Sequence, residues 1–354
     1  MPHLVVSVAP SACPARPASS ALSRPPRPWA GWRRRIGAAA AGLWTLVAVC
    51  GPAAAQTPAP PRMQLQAVGE GVYFVQGEAA LGSPANRNFI SNAGVIVGDD
   101  SVLLIDALGS PALAEQWMAL IRTVTPLPVR HVVVTHCHAD HLYGLQVFKA
   151  AGATVIGHSG CREYLNSETA RTRLAASREQ IAPWIDAQTR LVAPDVWLGE
   201  GGKADDLVLS VGRRRVTVRP IGPAHTPEDL IVHDPRSGVV FSGDIVFRGR
   251  VPFVGTADSR RWIAALDAVL ALEPRVVVPG HGPASRDAGA DLAFTRDYLA
   301  YLRKTMGEAA AQLEPFDEAY ARIDWSRFAG MPMFEATHRA NAYNTYLRME
   351  HERP

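Results

Sequence analysis

Three imidazoles and a carboxylate crowd into six residues of this chain, at His136, His138, Asp140 and His141. Neutral imidazole nitrogen and carboxylate oxygen are the usual ligands of zinc, and the pattern His-x-His-x-Asp-His sets four of them within reach of one another. The chemistry such a set supports is metal-assisted hydrolysis. A bound divalent ion lowers the pKa of water to about 7 and carries charge that develops on the electrophile, so no serine, cysteine or lysine nucleophile is needed. A His-rich surface loop is the plainer reading, but surface loops seldom follow a β-branched run such as Val132-Val133-Val134. Three further residues stand at matching stations: His225 after Gly222-Pro223-Ala224, Asp244 after Ser242-Gly243, and His281 after Gly280. Each is a single ligand-capable side chain just past an apolar run, beside glycine that lets backbone approach closely.

The elements that must position these residues follow from pattern. Short apolar runs at Val72–Val75, Ala93–Val97, Val102–Ile105, His131–Thr135 and Thr154–Ile156 read as strands, with Asp99-Asp100 as a tight turn. A second series at Leu207–Leu209, Val216–Val218, Leu230–His233, Val239–Phe241 and Val276–Pro279 repeats the theme. Arg213-Arg214-Arg215 is expected in the first hairpin turn of that series and Asp234–Gly238 in the next. Helical spacing marks Leu113–Thr123, Leu142–Ala150, residues 162–190, Trp262–Leu272, Ala288–Ala311 and Thr337–Glu352. Strand–strand–helix thus occurs once in each half. That predicts an α+β fold with two mixed sheets and helices outside, a four-layer αββα sandwich, as one domain over residues 62–354 with a helical C-terminal extension.

Composition is that of an ordinary globular protein, with 47% hydrophobic and 19% charged residues among 354. The net charge of +3 and the lack of a basic stripe argue against nucleic acid as a partner and leave a small molecule. Residues 1–55 read as a cleaved export signal: Arg33-Arg34-Arg35, an apolar run from Ile36 to Val49, then Ala53-Ala54-Ala55. That run falls short of the ~20 residues a membrane span needs, so no stable insertion is expected after cleavage. A short linker, residues 56–61, follows, and the expected location is periplasmic, by the general or the twin-arginine route. Cys13 and Cys50 leave with the signal, and Cys137 and Cys161 are expected as two separate buried thiols, because the metal motif already commits the backbone around Cys137.

The order His-x-His-x-Asp-His, then His225, Asp244 and His281 at strand ends, resembles the metallo-β-lactamase fold superfamily from Val72 to His281 at least. The resemblance implies the αββα fold and a binuclear zinc site. His136, His138 and His225 would hold one ion, Asp140, His141 and His281 the other, and Asp244 would bridge. A metal-bridging hydroxide would attack the substrate, with Asp140 steering the water and passing its proton. Asp106 matches the family's early strand-end aspartate, which orients a ligand imidazole.

His138 stands where redox members of the flavodiiron type carry glutamate, and Asp244 where the common metallo-β-lactamases carry cysteine, which favours the glyoxalase-II-like and related hydrolases. A glutathione thioesterase would need a basic C-terminal motif that Arg303-Lys304 and His338-Arg339 do not match. The stretches Asp244–Phe253, Asn86–Asn92 and Asn341–Tyr346 are similar to the SoxH-like group, the quinoprotein relay system zinc metallohydrolases. This similarity implies a setting alongside periplasmic quinoprotein or sulfur-compound oxidation. Arg248 and Arg250, close after Asp244, are placed to hold an anionic group, and Asn88 sits in a polar loop, residues 77–88, where this fold often carries a flap. Three function classes stay open: a hydrolase of a small ester, thioester or amide, a β-lactamase, and a non-catalytic metal-bound accessory protein.

Overall fold

Apolar runs as dense as Val102-Leu103-Leu104-Ile105 have no polar face to give to water, so both faces of such a strand must be covered. In the computed structural model, which describes residues 62–352 apart from 203 and 204, they are. The first sheet orders seven strands as β1 (Gln66–Gly69), β2 (Val72–Val75), β3 (Ala93–Val97), β4 (Val102–Ile105), β5 (Val129–Val133), β6 (Thr154–His158) and β7 (Val196–Leu198). The second runs β12 (Val276–His281), β11 (Val239–Phe247), β10 (Leu230–Asp234), β9 (Arg214–Pro220) and β8 (Leu207–Val211). Both are mixed: β1 to β4 pair antiparallel and β4 to β7 parallel, while β8 to β11 pair antiparallel and β12 joins β11 parallel.

Strand alternation then sorts side chains into layers. Leu103 and Ile105 of β4 pack between the sheets with Val216, Val232 and Phe241, whereas Val102 and Leu104 face a helical layer. That layer holds Leu113, Trp117 and Ile121 of α1 (Pro111–Ile121) and Phe148 of α3 (Leu145–Ala150), α1 being capped by Ser110 with Pro111 at its first position. The same layer carries α2 (Ala139–Leu142), α4 (Cys161–Leu165) and α5 (Glu168–Gln180). Over the second sheet, Ile231, Val240 and Val277 meet Trp262 and Leu266 of α6 (Ser259–Leu270), Leu299 of α7 (Ala288–Ala311), Ala319 of α8 (Phe316–Arg322), Phe328 of α9 (Ser326–Ala329) and Ala342 of α10 (Phe334–His351). The result is the four-layer αββα sandwich, and the described residues fall within one unit, Thr57–Pro354.

Differences from the expected elements have local causes. Helix stops at Gln180 rather than 190 because Pro183 follows, and proline has no N–H to donate. Arg214 and Arg215 belong to β9, not to a turn, and Arg214 is buried against Asp234. The short, partly exposed β1 and β7 have no clear apolar signal in the sequence. The expected export signal and linker lie outside the described residues, and no described helix is long and apolar enough to cross a membrane.

Candidate metal centre

The sandwich opens at one end, where the carboxyl ends of strands from both sheets meet. The chain leaves β5 through Thr135 and turns into α2, so His136, His138, Asp140 and His141 leave the first sheet together. His225 lies in the loop between β9 and β10, Asp244 within β11, and His281 is the last residue of β12. Glycine makes the approach possible: a Cβ on Gly280 would stand 2.0 Å from Asp244 Oδ1, and one on Gly243, at φ +50°, would press on Thr135.

All seven side chains converge. Among them, His136, His138, His225 and Asp244 form one group and Asp140, His141 and His281 another, each compact enough to hold an ion. In the first, His136 Nε2 and His225 Nε2 each lie 3.1 Å from His138 Nδ1. Zinc–nitrogen bonds of 2.0–2.1 Å at tetrahedral angles place ligand atoms about 3.3 Å apart, so the spacing suits a four-coordinate ion. Asp244 spans the groups, with Oδ2 3.4 Å from His225 Nε2 and 3.3 Å from His281 Nε2, and Oδ1 3.3 Å from His141 Nε2. Asp140 Oδ2 lies 3.5 Å from His141 Nε2 and 3.4 Å from His281 Nε2. His141 Nε2 and Asp244 Oδ1 are buried with no hydrogen-bond partner. Buried polar atoms left orphaned point at a missing partner, and here the partner that satisfies both is a cation.

The outer partners fix which nitrogen faces inward. His281 Nδ1 lies 2.6 Å from the carbonyl oxygen of Ile90, which can only accept, so Nδ1 carries the proton and Nε2 turns its lone pair to the centre. His141 Nδ1 donates likewise to Asp106 Oδ2 at 2.9 Å. Asp106 also accepts from Thr135 N and Thr135 Oγ1, which ties the ligand loop to the end of β4. It does so from a left-handed backbone, φ +61°, a conformation held against its usual cost. Around these sit aromatic walls: Phe247 stacks on His281 and Trp262 meets His225 edge-on.

Electrostatics favour neutral imidazoles on the first group. Burial, then neighbouring His225, holds His138 at about 3, burial takes His225 to about 4, and burial with His141 puts His136 well below its ordinary value. His141 goes the other way, because Asp140, Asp106 and Asp244 outweigh its burial. Burial raises the Asp244 carboxyl, but His281, His141 and His136 outweigh it and keep Asp244 ionised. A cluster this rich in carboxylate calls for positive charge at its middle.

The other expectations fare differently. Asn88 is buried, donating to the Gly109 carbonyl and accepting nothing from the cleft. Arg248 turns to Asp291 and the Ala284 carbonyl. Arg250 is buried behind His281, its Nη1 3.3 Å from Nδ1. None of the three is among the residues lining the cleft at His138 and His225; Asn88 and Arg248 are held by the surrounding fold, while Arg250 lies beside His281, in the field of Asp244 and Asp140. Cys137 and Cys161 form a disulfide, not two free thiols. Cys137 meets Cys161 at the start of α4, with Cα atoms 5.7 Å apart. The Asn86–Asn92 run clamps the site, as Asn92 Nδ2 donates to the Pro279 and Gly282 carbonyls on either side of His281.

The cleft itself, about 780 Å³, was not legible in the sequence. It runs from His138 and His225 past Tyr164, Arg173, Glu228 and Phe253 to Arg348 of α10, residues that share no motif and meet only in three dimensions.

Comparison with known proteins agrees with this geometry. The chain resembles the linear primary-alkylsulfatase of Pseudomonas sp. (strain ATCC 19151), 23% identical over 241 residues, 59% of this chain and 45% of that protein. It is 28% identical over 242 residues to the acyl-coenzyme A thioesterase MBLAC2 of Bos taurus, covering 61% of this chain and 80% of the thioesterase. The solved structure of the stereoselective inverting sec-alkylsulfatase Pisa1 from Pseudomonas sp. superposes with a TM-score of 0.64 at 20% identity, over 81% of this chain and 50% of that one. The chain therefore spans about half the length of either alkylsulfatase. The family model of the metallo-beta-lactamase superfamily matches residues 86–281, which takes in every residue of the metal cluster. With that match across more than half its length, the chain belongs to the metallo-beta-lactamase superfamily.

Proposed function

We propose that this chain is an exported, periplasmic zinc hydrolase that cleaves a small ester, thioester or amide with two zinc ions per chain. The observation that carries the reading is the grouping of seven ligand-capable side chains into two compact sets, within which His141 Nε2 and Asp244 Oδ1 are left buried without a hydrogen-bond partner. His136, His138 and His225 would hold the first ion and Asp140, His141 and His281 the second, with Asp244 within reach of both groups. Bound zinc supplies Lewis acidity and a water that deprotonates near neutral pH. The protein's own part is positional. Asp106 and the Ile90 carbonyl fix the imidazole tautomers. Asp140, the most exposed carboxylate of the cluster, is the group that takes and returns a proton at the reacting water. The sandwich walls exclude bulk solvent, and the cleft admits the substrate.

The cleft beside the centre has room for a small substrate, which supports the hydrolase reading. The names of the relatives direct the choice of substrates: alkyl sulfates and acyl thioesters come first, with simple esters and a chromogenic cephalosporin beside them. A place alongside quinoprotein or sulfur-compound oxidation rests on the similarity of residues 244–253, 86–92 and 341–346 to the SoxH-like group.

Elemental analysis of the purified chain and of Asp244→Ala tests the centre. About two zinc per wild-type chain, falling toward one in the variant, with hydrolysis abolished by chelator and restored by zinc, supports the reading. Activity indifferent to prolonged chelation, or stoichiometric iron, overturns it.

A further inference from the structure

Two stretches singled out in the sequence, Asp244–Phe253 and Asn341–Tyr346, lie far apart in the chain and meet in the fold. Asn341 of α10 is fully buried, and its amide brackets one residue of the cleft. Its Oδ1 accepts from Val254 N at 2.9 Å, and its Nδ2 donates to the Pro252 carbonyl at 2.7 Å. The same Nδ2 lies 2.9 Å from Tyr298 Oη of α7, which anchors the amide from behind. A further link joins Val251 N to the Pro332 carbonyl just before α10. Between the two bracketed positions stands Phe253.

Phe253 is unusual for its place. It is 37% exposed although it lines the cleft, and its ring centre stands 6.3 Å from that of His138 and 6.4 Å from that of His225. Leaving a large apolar ring in water next to the centre forfeits burial, and a loop free to relax would fold it inward. The Asn341 bracket prevents that by fixing the backbone on both sides of it. Val254, Pro227, Ala224 and Tyr164 add apolar surface to the same cleft.

We propose that Phe253 is a specificity residue that packs against an apolar chain on the acyl side of the scissile bond, and that Asn341 is the positioning residue that presents it. The C-terminal helix thereby sets which substrates the centre takes, without touching them. The proposal rests on the hydrolytic reading of the centre, and the substrate class it names is an ester or thioester with an apolar acyl group of several carbons. A short polar acyl group would leave Phe253 in water.

The test uses the zinc-loaded protein and straight-chain carboxylates from acetate to octanoate, the products such a hydrolase would release. Binding is followed by calorimetry, so that no turnover is required. Affinity should rise two- to fourfold for each added methylene, the range between partial and full burial of a CH2. In Phe253→Ala that rise should flatten while acetate binds as before. Asn341→Ala should flatten it too, although its side chain is out of reach of the ligand, with zinc content unchanged. Asn341→Asp keeps the acceptor for Val254 N and loses the donor to the Pro252 carbonyl, so it should fall between. If Asn341→Ala fails to fold, Phe253→Ala and Asn341→Asp still decide. A chain-length dependence that is absent in the wild type, or unchanged in Phe253→Ala, overturns the proposal. Loss of the dependence in Phe253→Ala but not in either folded Asn341 variant overturns the positioning role. Esters of the same acids, hydrolysed or not, report separately on the hydrolytic reading. A protein that binds the series as expected but cleaves none of the esters, thioesters or amides of these acids would sink that reading and leave the apolar subsite standing.

Discussion

The first sheet contributes His136, His138, Asp140 and His141 from one turn of chain after β5, whereas the second contributes His225 from the loop after β9, Asp244 from within β11 and His281 from the end of β12. The two halves accordingly solve different mechanical problems. A single loop carrying four ligands must be stopped from moving as a unit, and it is stapled locally: Asp106 holds it from β4, and the disulfide from Cys137 to Cys161 holds it from α4. Side chains spread over a loop and two strands are held by sheet register, so the second half depends on whatever keeps β9 to β12 in place. Part of that is a buried ion pair. Arg214 Nε and Nη2 contact the two carboxylate oxygens of Asp234 at 3.1 and 2.5 Å, and Nη1 donates to the Val97 carbonyl of the first sheet.

Breaking each device should separate the halves by kind as well as size. Removing one partner of a buried pair leaves the other charge uncompensated, a penalty of about 3–5 kcal/mol. Arg214→Ala should therefore show the largest loss in urea denaturation, with Asp234 keeping only Ser237 as its side-chain partner. A loss below about 1 kcal/mol would mean that the pair is incidental to the register. The disulfide closes a loop with a sequence separation of 24, for which loop-closure entropy gives about 3.5 kcal/mol. Cys137→Ser with Cys161→Ser should lose that much stability and should also release zinc from the first group faster. Arg214→Ala, whose damage lies away from the ligand loop, should change global stability more than zinc release. Equal effects on zinc release from both variants would erase the distinction between a local staple and a register lock.

The same contrast governs what could be read from the sequence. The clustered ligands are legible because four metal-binding side chains in one short run after an apolar strand rarely occur together except to hold an ion. The dispersed residues are legible only by station, each after an apolar run and beside glycine; Asp244, expected past a strand end, lies within β11, which runs on to Phe247. The layers were legible too, since runs such as Val102–Ile105 and Val239–Phe241 demand cover on both faces. What stayed hidden depends on distance in space. The disulfide needs the knowledge that α4 starts beside Cys137, and Arg214 looks like a turn residue until Asp234 appears across β10. Arg248 and Arg250 follow Asp244 in sequence, yet Arg248 pairs with Asp291 and Arg250 is buried beside His281.

Asp106 offers a finer probe of the first half. Asparagine tolerates its left-handed backbone, so Asp106→Asn should fold. The substitution removes the carboxylate that fixes His141, and losses of roughly 10–100-fold in metal affinity are typical when such a partner goes. Zinc competition against a chromophoric chelator should show the weakening in the group containing His141, with the three-histidine group nearly unchanged. Equal weakening of both would mean that Asp106 supports the whole loop through Thr135 rather than one imidazole.

The smallest effect belongs to the helices over the second sheet. His338 of α10 is fully buried among Tyr298, Tyr320, Trp325 and Phe334, with Tyr298 Oη 2.9 Å from its Nδ1 and no partner at Nε2. Burial lowers its pKa to about 4, so the folded state keeps it neutral where the unfolded chain, near 6.5, is already protonated. Above pH 6.5 both states are neutral and the full stability is present. As the pH falls from 6.5 toward 4 only the unfolded chain takes up the proton, and stability drains away over that window. The neighbouring rings carry no charge that would offset this, and Arg339 lies over Phe316 and Tyr320 instead. On the order of 1–2 kcal/mol should be lost by pH 5.5, and His338→Gln should flatten that slope while shifting stability by a constant amount above pH 7. Urea midpoints of the two proteins at matched pH isolate His338 from the histidines of the metal cluster, which both retain. Parallel slopes would show that the aromatic cage admits the charged ring, and acid sensitivity would then belong to the metal loop of the first half.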